Sequence, residues 1–148
     1  MLKTMCRKLT AEDARQSMEA HVAEKGRALR EKYGPEIGWD ELLRILEDRE
    51  FVRYPCRIVC GADKLQKGEF AHPVPNGKQP EDGFIMYVHP VVSLDPKRAA
   101  SLVLYQLVLV NYGRFASSRD AEIFGACALG ISRDDYYAIL CKAADELI

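Results

Sequence analysis

The sequence predicts an α+β fold in which a small, largely antiparallel sheet of about three strands packs against a buried helix at 97–112. A strong helix start precedes a long apolar stretch at that position, and three short runs with strand character come before it. The chain has 148 residues, of which 48% are hydrophobic, as is typical of one globular domain. We therefore expect residues 1–148 to form a single domain, with residues 1–33 as a helical N-terminal arm.

The first predicted helix spans residues 11–33. Thr10 and Asp13 have the spacing of a capping box, and Gly34 and Pro35 end the helical pattern. The apolar positions form a narrow stripe on a charged rod, so the helix should lie across a surface of its own domain or of a second subunit. This stripe consists of Ala11, Ala14, Met18, Val22, Leu29 and Tyr33.

After a second helix that Asp40 can cap, the pattern changes to that of strands. Residues 51–60 are predicted to form a strand near a sheet edge, because Pro55 cannot donate a hydrogen bond to a neighbouring strand. Residues 68–74 and 84–89 are predicted as two further strands, joined by a turn-rich connection.

The central helix has the clearest start signal in the chain. Asp95 provides an N-cap carboxylate, and Pro96 occupies the first helical position. The second half of this helix is apolar on every face, which predicts that it lies at the centre of the fold. Two shorter helices should follow, one from about Ser117 to Gly130 and one from Ser132 to the C-terminus.

Charge and composition argue against several classes of partner. The net charge is −1, and positive and negative residues alternate, so we do not expect the positive stripe with which proteins track nucleic acid. The longest apolar run, at 102–110, is far shorter than the roughly 20 residues that span a membrane. The first eight residues lack the apolar core of a signal peptide, and the five cysteines are odd in number and scattered. These features predict a cytoplasmic protein.

The predicted hairpin region at 68–90 provides the candidate ligand-binding residues. A pocket beside it would be lined by His72, Tyr87 and His89, with Gln106 contributed by the central helix. Because side chains alternate along a strand, His72 should share the core face with Phe70 and Val74, while His89 points away. The two histidines would then not meet, and a hydrogen-bonded structural histidine is the commoner outcome for each.

Cys56 and Cys60 invite a metal interpretation, because thiolates bind zinc well. Four residues of extended strand would separate them by about 13 Å, which is too far for two ligands of one ion. The sequence therefore predicts no metal site and no cofactor.

The familiar catalytic signatures do not occur in this sequence, including phosphate-binding loops and His-Glu-x-x-His. The order of helix, strands and buried helix resembles that of the smallest zincin-type metalloproteases. Residues 105–109, which correspond to their zinc-binding stretch, read Tyr-Gln-Leu-Val-Leu, so no residue role is transferred.

Three functional hypotheses remain, and the sequence favours the first. It is a non-catalytic interaction module that forms a homo-oligomer through the helix at 11–33. The second is a small-ligand-binding or hydrolytic domain with a pocket near the 68–90 hairpin. The third is a metal-binding protein that uses cysteine and histidine ligands.

Overall fold

The computed structural model describes residues 10–147 and confirms the α+β class. Between residues 10 and 147, six helices surround or flank a three-stranded sheet, and a 3₁₀ turn at Gly113–Phe115 follows the central helix. The helices are α1 (Ala11–Tyr33), α2 (Trp39–Leu46), α3 (Pro90–Ser93), α4 (Pro96–Tyr112), α5 (Ser118–Leu129) and α6 (Arg133–Glu146). The strands are β1 (Cys56–Cys60), β2 (Ala71–Pro75) and β3 (Phe84–Val88).

The sheet has the order β1-β3-β2, so β3 is central and β1 lies at an edge, as Pro55 predicted. β3 pairs antiparallel with β2 and parallel with β1. β1 begins at Cys56, five residues later than the sequence predicted. The reason is local, because the amides of Phe51 and Val52 both bond to the carbonyl of Asp48 in a turn that follows α2.

β2 also begins later than predicted, and the side chains that it buries are not the set that the sequence predicted. Gly68 has a φ of 86°, and the amide of Glu69 bonds to the carbonyl of Gln66, so the chain is still turning at 68–69. Ala71 and Pro73 are buried, whereas the His72 side chain is 43% exposed. The prediction that His72 faces the core is therefore wrong.

The outer edge of β2 carries two prolines. The His89 amide bonds to the Phe70 carbonyl, and the Asn76 amide bonds to the Gly83 carbonyl. In an antiparallel pair the bonded positions alternate, so the backbone nitrogens of Pro73 and Pro75 point away from β3. Neither has a proton to donate at that edge.

α4 is the centre of the fold, as predicted. Asp95 accepts a hydrogen bond from the Arg98 amide, and ten residues of the helix are buried, including Leu102, Leu104 and Leu107. The buried side chains of the sheet and of the flanking helices join α4 in one hydrophobic core.

α1 packs within the same chain, along α5. The capping box of Thr10 and Asp13 is confirmed, and Val22, Gly26 and Leu29 are the buried positions of the helix. A Cβ atom on Gly26 would lie 2.6 Å from the carbonyl oxygen of Phe124, so only glycine permits this approach of the two helices. The first two turns of α1 are mostly exposed, and they border the groove described next.

Candidate functional site

The structure brings two of the four predicted ligand residues together. His72 and Tyr87 are directly opposite each other on β2 and β3, so they share a face of the sheet. His72 Nδ1 lies 3.6 Å from a carboxylate oxygen of Glu69. The His72 and Tyr87 side chains are half-buried, and they lie on the face of the sheet opposite to Met86 and Val88.

The other two predicted residues have visible structural roles. His89 is the N-cap of α3, where its Nδ1 accepts a hydrogen bond from the Val91 amide at 3.1 Å. Gln106 is buried in α4, and its Oε1 has no hydrogen-bond partner among residues 10–147. None of the four predicted residues lines the two cavities that we describe below.

Two of the cysteines, Cys56 and Cys60, lie in strand β1. Cys56 and Cys60 lie at opposite ends of β1, Cys56 buried and Cys60 exposed, and all four cysteines between residues 10 and 147 are free thiols. Within the same range, no group of three or more His, Cys, Asp or Glu residues is placed to hold a metal ion.

The larger cavity is an open, mainly apolar depression of about 850 Å³, which we call the apolar groove. α1 forms one side, and the end of α4 with the following 3₁₀ turn forms the other. Arg53, Tyr54 and Pro80 complete its lining. The side chains from α1 are Ala14, Ser17, Met18 and His21, and those from the α4 end are Asn111, Tyr112, Arg114 and Phe115.

Phe115 stands at the edge of this groove and is 89% exposed. The sequence places it there through two local signals. Gly113 ends α4 with a φ of 57°, and Ser117 caps α5, where its Oγ accepts the Asp120 amide. Only three residues separate Gly113 from this cap, so Phe115 lies in a short turn that holds it at the surface.

A polar wall divides the apolar groove from a smaller cavity. The Tyr112 hydroxyl and His21 Nε2 share a hydrogen bond of 2.7 Å, and the two rings meet edge to face. The Arg53 guanidinium lies over the Tyr112 ring, 4.7 Å from its centroid. Asn111 holds the backbone of Arg53. Its Oδ1 accepts a hydrogen bond of 2.8 Å from the backbone N–H of Arg53, and its Nδ2 donates to the Phe51 carbonyl.

Burial raises the pKa of Tyr112, and the positive charge of Arg53 offsets part of that effect. The hydroxyl therefore remains protonated at neutral pH. No aspartate or glutamate between residues 10 and 147 lines the apolar groove, so the His21–Tyr112 pair has no carboxylate there to orient it.

The smaller cavity, which we call the basic cleft, has a volume of about 310 Å³ and is more enclosed than the apolar groove. His21, Arg53, Asn111 and Tyr112 line both cavities. The basic cleft also receives Lys25, Arg49, Glu50, Phe51 and Phe124.

Sequence reasoning missed the residues of both cavities as a site. They come from α1, from the loop at 49–54, from the end of α4 with the turn that follows it, and from Pro80 and Phe124, which are far apart along the chain. One signal was available in the sequence. Phe115 is a large apolar residue in a short turn between Gly113 and the cap at Ser117, where it has no helical or strand pattern to bury it.

Comparison of the chain with protein-family models, with curated proteins and with solved structures found no match. Among residues 10–147, no helix has the length and apolar character needed to cross a bilayer.

Proposed function

We propose that this protein is a non-catalytic interaction module that self-associates through the part of helix 11–33 that borders the apolar groove. The observation that carries the proposal is the position of Phe115, an 89% exposed aromatic side chain at the edge of an apolar depression of about 850 Å³. Large exposed apolar residues beside a concave apolar surface are typical of interaction sites.

A second copy of this chain is the occupant that the surface fits. The protruding Phe115 and the groove lie on the same side of the molecule, so a two-fold axis would place each Phe115 in the groove of the other copy. Such an interface is self-complementary, because one patch serves both subunits.

The charged residues at this surface also complement each other between two copies of the chain. Arg53 and Arg114 line the groove, whereas the exposed first turn of α1 carries Glu12 and Asp13. A two-fold contact between groove faces would bring the acidic helix start of one copy toward the arginines of the other. Opposite charges across an interface favour association and fix its orientation.

We also propose a cytoplasmic location, which is supported by the four free thiols between residues 10 and 147, since unpaired cysteines suit a reducing compartment.

Sedimentation velocity over about 1–300 µM tests the proposal, since a symmetric contact of modest size gives a micromolar dissociation constant. We expect the wild-type chain to shift from monomer to dimer across this range. Phe115→Ser should weaken the dimer by about 100-fold or more, because each dimer loses two buried phenylalanines. Leu94→Ser removes a residue that is 84% exposed and outside the groove, and it should have no effect.

A second pair of variants tests the role of α1 without touching Phe115. Ala14 lines the groove, Ala20 lies outside it, and both are exposed on the same helix. Ala14→Glu should abolish the dimer, whereas Ala20→Glu should preserve it. A wild-type chain that stays monomeric at every concentration, or equal effects of the two alanine variants, would refute the proposal.

A further inference from the structure

The basic cleft gathers cationic side chains from two separate segments. Lys25 and His21 come from α1, and Arg49 and Arg53 come from the loop after α2. Glu50 is the single carboxylate among the described residues that line the cleft. Three full cations against one carboxylate leave an excess of two positive charges, without counting His21.

Within residues 10–147, these three cations have no acidic partner of their own. Lys32 pairs with Asp48, for example, but no carboxylate in that range lies within 4.0 Å of Lys25, Arg49 or Arg53. An enclosed cleft with low-dielectric walls focuses such a charge excess on any anion that enters.

Backbone oxygens and aromatic rings hold the cations in place instead. Lys25 Nζ donates to the Glu50 carbonyl at 3.2 Å and lies 5.8 Å from the centre of the Phe51 ring. Arg49 Nη1 donates to the carbonyls of Leu46 and Val52. Arg53 Nη1 donates to the Asn111 carbonyl. Each of these groups has further N–H donors beyond the bonds named here, so an anion can be bound without breaking them.

We propose that the basic cleft binds a phosphate group. The excess of two charges matches phosphate, which is close to a dianion at neutral pH. Guanidinium groups bind its oxygens in pairs, and lysine adds a point charge. The cleft volume of about 310 Å³ holds a phosphate with a small substituent, and Tyr112 forms the wall along which that substituent would lie.

Phosphorus NMR and isothermal titration calorimetry test this proposal on the full chain. Inorganic phosphate should bind saturably at low salt, and about 0.5 M NaCl should weaken the binding because it screens the charges. Lys25→Met should lower the phosphate affinity roughly tenfold, the loss expected for one charge-assisted hydrogen bond. Arg49→Met should lower it as well.

Arg27→Met is the matched control. Arg27 is an exposed cation on α1, outside the basic cleft, and its loss changes the net charge by the same amount. Circular dichroism checks that every variant is folded. If phosphate does not bind saturably, or if Arg27→Met weakens binding as much as Lys25→Met does, the proposal is overturned.

Binding of phenyl phosphate distinguishes a phosphate monoester from free inorganic phosphate as the ligand of the cleft. Tighter binding of phenyl phosphate than of inorganic phosphate would support the site and assign it to a phosphate monoester. Equal binding would support it as a site for the free anion. Lys25 and Arg49 do not line the apolar groove, so their variants leave the residues of the self-association contact unchanged, and the two proposals can fail separately.

Discussion

The Tyr136 hydroxyl donates a hydrogen bond of 2.7 Å to the carbonyl oxygen of Ser101, which joins the last helix to the central one. The Tyr136 side chain is fully buried. Its ring also fills the space beside Gly125, where a Cβ atom would lie 2.1 Å from the ring. Three helices, α4, α5 and α6, therefore meet at this single side chain.

Tyr136→Phe should reduce the free energy of unfolding by about 1 kcal/mol, the usual net contribution of one hydrogen bond. The ring packing is kept, so the loss reports on the hydroxyl. Urea denaturation measures it. Tyr137→Phe provides the control, because Tyr137 is the next residue and is 54% exposed. Equal losses in the two variants would contradict the role assigned to the Tyr136 hydroxyl.

Gly26→Ala should destabilise the protein by roughly 1–3 kcal/mol, although alanine usually stabilises a helix interior relative to glycine. The added methyl group would meet the Phe124 carbonyl and Cys127 Cβ, at 2.6 and 2.7 Å, and would push α1 away from α5. Gly61→Ala is the control, because no atom lies within 4 Å of its added carbon. The sign of the change in thermal stability decides the matter, and a stabilised Gly26→Ala variant would mean that the helices are not in close contact.

Gln106→Met should raise the free energy of unfolding by about 1 kcal/mol. Methionine keeps the length of the side chain and removes the buried Oε1, which has no partner in the described part of the chain and therefore carries the cost of lost hydration. Chemical denaturation with guanidinium would detect the gain. A loss of more than about 1 kcal/mol would instead show that the amide has a partner that stabilises it.

The stability of the protein should fall in alkaline solution, in part because of Cys56. Burial raises the pKa of the Cys56 thiol from 9.0 to about 11, and the nearby Arg49 offsets a little of this effect. Above pH 9 the thiol ionises in the unfolded chain but not yet in the folded one, so stability is lost from pH 9 until about pH 11. Below pH 9 this group contributes no pH dependence.

Cys56→Ala removes this contribution, so the stability of the variant should decline less steeply between pH 9 and 11 than that of the wild type. The comparison uses the slope, because the smaller side chain also lowers stability at every pH. Identical slopes for the wild type and Cys56→Ala would exclude Cys56 as a source of the alkaline loss.

Local signals determined which parts of the fold were predictable. The capping residues Thr10, Asp95, Ser117 and Ser132 mark four helix starts correctly, because an N-cap and its partner lie within one turn of each other. The buried position of α4 followed from its apolar second half. Pairing across the sheet is a long-range property, so the parallel contact of β1 with β3 could not be derived from either strand alone.

The choice of the core-facing set had a large effect on the predicted site. The buried residues of β2 are Ala71 and Pro73, not the alternate set that contains His72 and Val74, so His72 lies on the outer face. The apolar groove depends on four segments that approach each other only in the folded chain. Phe115 is the groove residue that the sequence indicates most clearly, because its exposure follows from the turn between Gly113 and Ser117.

The two prolines of β2 limit how the sheet can grow. A strand arriving from another molecule needs donors along the edge that it joins, and Pro73 and Pro75 remove two of the three that Ala71–Pro75 would present there. Addition of a further strand at this edge is therefore disfavoured. Replacing both prolines would restore two backbone N–H donors at this edge, to which a strand from another molecule could bond.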